Sequence, residues 1–139
     1  MILDNQQDSK IQKDQLISLP VTHVIQEAED VCTFRLDNSQ GLIPSHRPGM
    51  FVKVCLDING IDVWRSFSIS SSPHQSERID LTIKRNHAGQ VGNYFFEQIQ
   101  VGSPVLLKGP LGQFYFDPAQ HIEPLILLCA GIGITPMMS

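Results

Sequence analysis

Hydrophobic residues recur in short β-rich runs at 21–26, 31–36, 50–56, 63–70 and 79–84, each bounded by turn residues. That is the pattern of an all-β barrel or sandwich. Arg47-Pro48-Gly49 reads as a tight turn feeding the third run. Asp57-Ile58-Asn59-Gly60 reads as a hairpin between the third and fourth, because Asn-Gly accepts the positive φ values that two-residue turns require. Over 90–100 the period changes: Val91, Tyr94, Phe95 and Ile99 are spaced for one helical face. Strands resume at 104–108 and 114–116. A continuous apolar run over 124–130 then leads into Gly131-Ile132-Gly133, with Pro136 suited to a first helical turn. This predicts the opening strand and glycine turn of a parallel α/β unit. Residues 1–17 are polar and amide-rich and predict a mobile arm or a marginal helix. The chain shows no internal repeat.

At 139 residues the chain has room for one domain, whose folding buries about 70% of the surface its unfolded form exposes. A net charge of −4 without a clustered Lys/Arg stripe argues against nucleic acid or an anionic membrane as partner. No apolar run approaches the roughly 20 residues of a membrane span, and the N-terminus lacks the order of a secretory signal, so a cytoplasmic protein is expected. Cys32, Cys55 and Cys129 form no C-x-x-C pair and predict neither a disulfide framework nor a metal site; Cys129 reads as a core residue. The histidines show no i, i+4 pairing of a metal site.

Candidate chemistry centres on Arg65-Ser66-Phe67-Ser68. In an extended strand Arg65 and Phe67 project together, one toward a phosphate and one against a flat ring. Ser68 then sits at the ring edge, where its hydroxyl and N–H suit the reactive nitrogen of an isoalloxazine. Taken alone, the segment reads more simply as a half-buried strand, with Phe67 and Ile69 inward and Ser66, Ser68 and Ser70 outward.

The order of motifs decides between these readings. Around that segment stand Arg47-Pro48-Gly49-Met50-Phe51, Thr82-Ile83-Lys84-Arg85, Gly89-Gln90-Val91-Gly92-Asn93-Tyr94, Gly109-Pro110-Leu111-Gly112-Gln113-Phe114 and Gly131-Ile132-Gly133-Ile134-Thr135-Pro136. The series resembles the flavin domain of the ferredoxin-NADP reductase superfamily, with the nearest look to oxygenase reductases, flavohaemoglobin reductase modules and the NADH oxidoreductase of the hybrid-cluster protein. The resemblance implies an all-β fold: a six-stranded antiparallel Greek-key barrel with one capping helix over 18–118, then the first strand of an α/β nicotinamide-binding domain over 119–139, incomplete in this chain.

It also implies the site. Arg65 would pair with a flavin phosphate and Phe67 would stack on the ring, where Tyr is commoner. Ser66 lies between them, and Ser68 would serve the reactive nitrogen as the catalytic residue. The main chain of Thr82, Ile83 and Lys84 would read the ring edge or the ribityl chain. Gly89, Gln90, Val91, Gly92 and Asn93, at a helix start, would hold the pyrophosphate. Gly92 stands where the family has Ser, a lost hydroxyl contact that Asn93 is expected to make up. Thr135, in the glycine turn, would face the nicotinamide. The implied cofactor is FAD in preference to FMN, with NAD(P)H as substrate of the full-length protein, an iron-sulfur or haem protein or domain as electron acceptor, and no metal. Because the apolar run 125–138 lacks neighbours, self-association through this tail is expected. Two other classes remain open here: a flavin- or partner-binding module without turnover of its own, and a flavin-free interaction barrel.

Overall fold

The computed structural model describes residues 16–117, 119–120 and 123–139. Six antiparallel strands build the barrel: β1 (Ile17–Ala28), β2 (Val31–Asp37), β3 (Phe51–Ile58), β4 (Ile61–Ser68), β5 (Arg78–Lys84) and β6 (Pro104–Leu111). Helix α1 (Gln90–Gln98) lies between β5 and β6, and a short helix α2 (Thr135–Met138) closes the described chain. The strand order β4-β3-β6-β1-β2-β5 carries the crossovers of a Greek key. An isolated bridge between Ile69 and Leu81 joins the two ends of that order.

Period-2 burial explains these strands. Phe34 and Leu36 on β2, Val52 and Val54 on β3, Ile79, Leu81 and Ile83 on β5, and Val105 and Leu107 on β6 point into one continuous core. Helix α1 plugs the barrel with Val91 and Phe95, and Phe95 meets Phe34 edge to face at 4.9 Å. The hairpin between β3 and β4 turns on Asn59 (φ 56) and Gly60 (φ 79), as its dipeptide predicts. At Gly49 (φ +96) an added Cβ would stand 2.1 Å from the carbonyl oxygen of Phe114. The Arg47-Pro48-Gly49 turn therefore lies directly against the segment that follows β6. Among the described residues no helix is long and apolar enough to cross a membrane.

Three expectations are corrected. Residues 114–116 and 124–130 form no strand. A parallel strand is defined by a neighbour that pairs with it, and the apolar run has none among the described residues; Leu125, Ile126, Leu127 and Leu128 are exposed. Cys129, read as core, is exposed for the same reason, whereas Cys32 and Cys55 are buried. The glycine turn does lead into a helix with Pro136 in its first turn. Of the arm expected over 1–17, residues 1–15 lie outside the described residues, and Ile17 already belongs to β1.

Candidate functional site

The barrel is closed at one point and open beside it. Strands β4 and β5 meet at the Ile69–Leu81 bridge, where the Ser70 N–H donates to the Asp80 carbonyl at 2.9 Å. Beyond it, toward the start of β4 and the end of β5, no ladder joins them, because β4 pairs only with β3 and β5 only with β2. In an antiparallel pair each residue turns its peptide groups toward one edge only, alternating along the strand. The bonds Ile69 N–H to Met50 O and Arg85 N–H to Asp30 O fix that alternation. It turns residues 64, 66 and 68 on β4 and residues 82 and 84 on β5 toward the open seam. Main-chain donors and acceptors of Ser66, Ser68, Thr82 and Lys84 therefore line it, an arrangement suited to a flat, polar-edged ligand.

Side chains sort by the same register. Arg65 and Phe67 stand opposite the core residues Val54 and Val52 and share their face. Arg65 is nonetheless exposed, since the seam lies open there; its Nη1 donates to the Trp64 carbonyl at 2.7 Å. Phe67 is half-buried, and its ring meets Phe95 of α1 at 5.6 Å. Ser66 and Ser68 lie on the opposite, outer face. Ile83 is core and turns its main chain toward Cys32 of β2, away from the seam, while Lys84 is exposed and pairs with Asp30 at 3.3 Å.

Helix α1 borders the same seam. Its N-cap, Gly89, makes no side-chain cap hydrogen bond, and no acidic residue occupies its first turn. The amides of Gln90, Val91 and Gly92 thus form an uncapped positive helix end. Gly92 allows close approach to β5, since a Cβ there would stand 3.3 Å from the Lys84 carbonyl oxygen. Asn93 holds the connecting loop: its Nδ2 donates to the carbonyls of Gly89 at 2.7 Å and His87 at 3.1 Å, and its Oδ1 accepts from Arg85 Nε at 2.8 Å. Arg85 also pairs with Glu97 and lies over the Phe96 ring.

The structure thus brings Arg65, Ser66, Phe67 and Ser68 together with Thr82, Ile83 and Lys84 and with Gly89 to Asn93 around one seam. Thr135 is buried under the glycine turn, with its hydroxyl donating to the Ile132 carbonyl at 3.0 Å. The turn itself packs on the outer face of β5, where Gly131, Ile132 and Ile134 line a cavity with Thr82 and Lys84. No cluster of three or more potential metal ligands occurs among the described residues. Sequence reasoning gave Ser70, Thr33 and His46 no part in the site, yet all three are buried and hydrogen-bonded. Ser70 and Thr33 bond to Thr82 at 2.8 Å each, and buried His46 contacts the Ser71 carbonyl at 3.0 Å. Burial lowers the His46 pKa below its ordinary value, against the opposing effect of that carbonyl contact.

Comparison with known proteins gives this seam a context. The family model for the oxidoreductase FAD-binding domain matches residues 17–116. The glycine betaine monooxygenase reductase subunit of Chromohalobacter salexigens is 42% identical over 118 residues, covering 84% of this chain and 31% of the relative. A flavohemoprotein of Pseudomonas aeruginosa is 32% identical over 81% of this chain and 28% of its own length. Among solved structures, phthalate dioxygenase reductase superposes with a TM-score of 0.72 at 26% identity, covering 91% of this chain and 39% of that one. The flavohem-like FAD/NAD-binding domain of nitric oxide dioxygenase from Vibrio cholerae superposes with a TM-score of 0.78 at 25% identity, covering 87% and 53%. The chain spans under a third of the length of these two sequence relatives. A Greek-key barrel left open between β4 and β5, with an uncapped helix end beside the gap, is the form this match takes here, and the chain belongs to the oxidoreductase FAD-binding domain family.

Proposed function

We propose that this chain binds FAD along the seam between β4 and β5, and that the protein it represents is an NAD(P)H-dependent reductase. The observation that carries the reading is the convergence at one open edge of a charged side chain, an aromatic ring, outward main-chain groups and a helix N-terminus. These residues fit FAD. The exposed Arg65 guanidinium suits a phosphate, which it can hold in a bidentate, charge-assisted pair. The amides of Gln90, Val91 and Gly92 suit a pyrophosphate, and the approach that Gly92 permits brings that helix end close to β5. Phe67, backed by Phe95, offers a ring surface already fixed in position. Ser68 presents its hydroxyl and N–H at the ring edge, and the main chain of Thr82 and Lys84 addresses the pyrimidine side. Asn93, whose amide is committed to the loop at 87–89, acts here by shaping the helix start.

Bound FAD supplies the exchange between a two-electron hydride donor and one-electron acceptors. The protein's part is to hold, orient and tune it. In the full protein the donor is a nicotinamide, approached through the Gly131-Ile132-Gly133-Ile134-Thr135-Pro136 turn, and the acceptor is an iron-sulfur or haem centre. A second reading, a flavin-binding module without turnover of its own, is favoured for this chain alone by the exposure of Leu125 to Leu128 and of the glycine turn. Self-association through that exposed apolar segment is part of the proposal.

An absorbance titration of the purified chain with FAD tests the reading. Saturable binding with a perturbed flavin spectrum is expected, and Arg65→Ala should weaken it. A wild-type chain that leaves the FAD spectrum unchanged refutes the assignment. Anaerobic NADH separates the two readings: bleaching marks a reductase, and persistent yellow marks a binding module.

A further inference from the structure

Arg85 follows β5 and ties two parts of the molecule together. Its N–H donates to the Asp30 carbonyl in the turn between β1 and β2 at 2.6 Å, and its half-buried side chain reaches across to α1. There the guanidinium meets three residues of the helix. Its Nε donates to Asn93 Oδ1 at 2.8 Å, its Nη2 pairs with Glu97, and its central carbon lies over the Phe96 ring, 5.6 Å from the centroid. Asn93 and Glu97 are four residues apart on one helical face, so a single planar fork serves both.

The orientation of Asn93 follows from its neighbours. A guanidinium only donates and a carbonyl only accepts. The Asn93 side-chain oxygen therefore faces Arg85, and its nitrogen faces the carbonyls of His87 at 3.1 Å and Gly89 at 2.7 Å. Because the two ends make opposite demands, one orientation of the amide satisfies both and the flipped one satisfies neither. Asn86 holds the same loop from its other end: its main-chain carbonyl accepts the Gly89 N–H at 2.7 Å, and its side-chain oxygen accepts the Ala88 N–H at 3.1 Å.

These bonds decide what the start of α1 presents. The carbonyls of His87 and Gly89, which would repel a phosphate, are committed to Asn93, while the amides of Gln90, Val91 and Gly92 carry no side-chain cap. Gly92 seats that helix end on the strand, since a Cβ there would stand 3.3 Å from the Lys84 carbonyl oxygen and 3.5 Å from Arg85 Cα. Arg85 thus supplies both the surface on which the helix start rests and, through Asn93, the bond that sets its loop.

We infer that Arg85 is a positioning residue for the phosphate end of the flavin: by orienting Asn93 it holds the 86–89 loop and the helix start in the form that receives a pyrophosphate. The inference rests on the FAD reading above. It gives Arg85 a part different from that of Arg65, because Arg85 Nε and Nη2 are bound to the helix and act on a ligand only by way of it.

The test titrates wild type, Arg85→Met, Asn93→Leu and the double variant with FAD, reading both the affinity and the visible spectrum at saturation. Arg85→Met keeps an apolar stem beside Phe96 but removes the donors, and FAD should bind about tenfold more weakly as the helix start loses its preorganisation. Asn93→Leu should lose a similar factor. Because both act through one bond, the double variant should bind no more weakly than the weaker single one. Arg85→Lys, whose point charge cannot serve both partners, should also weaken binding. The defect lies at the phosphate end, so the saturated spectrum of each variant should match that of wild type. Unchanged affinity in Arg85→Met, additive losses in the double variant, wild-type affinity in Arg85→Lys, or an altered spectrum in saturated Arg85→Met overturns the inference while FAD binding stands. Should Arg85→Met fail to fold, Arg85→Lys takes its place and is judged by the same criteria. A wild type that binds no FAD refutes instead the reading on which the inference rests.

Discussion

Phe67 of β4 and Phe95 of α1 meet edge to face, ring centroids 5.6 Å apart, and through this contact the residue at the seam is held by the helix that plugs the barrel. Phe95 is fully buried, and Phe67 only half. Phe95→Ala should therefore cost about 3–5 kcal/mol, the usual range for a buried Phe, and Phe67→Ala roughly half of that. Denaturant melts check the ranking. The coupling has a functional consequence: Phe95→Leu, which touches no cofactor, should weaken FAD binding because it frees the Phe67 ring. Equal affinity in Phe95→Leu and wild type would show that Phe67 needs no such support.

Arg65 should behave in the opposite way. Its guanidinium is exposed and, among the described residues, hydrogen-bonds the carbonyl of its neighbour Trp64, so Arg65→Ala should change stability by no more than about 0.5 kcal/mol. Loss of a charge-assisted phosphate contact, worth about 1.5–3 kcal/mol, should weaken FAD binding by roughly ten- to a hundredfold. A variant that melts early would place Arg65 in the fold; one that binds FAD normally would remove it from the site.

The barrel was legible in the sequence because its signals are local. Alternation marks β2 and β5, Asn59-Gly60 names its own turn, and the period change announces α1. The 124–130 strand was misread for the converse reason, since apolarity records a demand for burial and only a paired neighbour makes a strand. At the seam, the shared face of Arg65 and Phe67 follows from period 2. The commitment of Asn93 to the carbonyls of Gly89 and His87 depends on how one loop folds back. The hydrogen bonds of Thr82 with Thr33 and Ser70 depend on register across β2, β5 and the residues after β4, which no single stretch of sequence contains.

Gly49 is a sharper test of the loop beside the site. With φ +96 and a Cβ position only 2.1 Å from the Phe114 carbonyl oxygen, Gly49→Ala meets both a backbone penalty and main-chain contact that no rotamer relieves. The cost should be at least about 2 kcal/mol. Gly41, also at positive φ (+65) but with open space around it, supplies the control: Gly41→Ala should cost only about 1 kcal/mol. Similar losses at both sites in parallel melts would contradict the close approach.

His46 should give stability a pH dependence near neutrality. Burial lowers its folded pKa below the unfolded value of about 6.5. Between the two values the unfolded chain binds more protons, so stability rises with pH there. The contribution is fully present above the unfolded value and is lost as pH falls through the folded one. Melts from pH 7.5 to 5 should show a slope that His46→Gln flattens. A slope unchanged by that substitution would assign the effect to other groups.

The exposed segment 125–128 supplies the last prediction. Leu125 and Leu127 line a cavity of about 430 Å³ with Pro48, Phe116, Pro136 and Met137, so they face the chain itself. Ile126 and Leu128 point the other way and are 80% and 86% exposed. An extended segment with one apolar side turned outward and its backbone edge unpaired is a template for pairing with another chain. The chain is therefore expected to self-associate in a concentration-dependent manner, and Ile126→Glu with Leu128→Glu should abolish that association. Because neither side chain is buried, the double variant should melt within about 0.5 kcal/mol of wild type and bind FAD as before, the seam being formed by β4, β5 and α1. Sedimentation velocity over a range of concentrations decides the matter. A wild-type chain that remains monomeric throughout would refute association through this segment, and a double variant that still associates would move the contact to another surface.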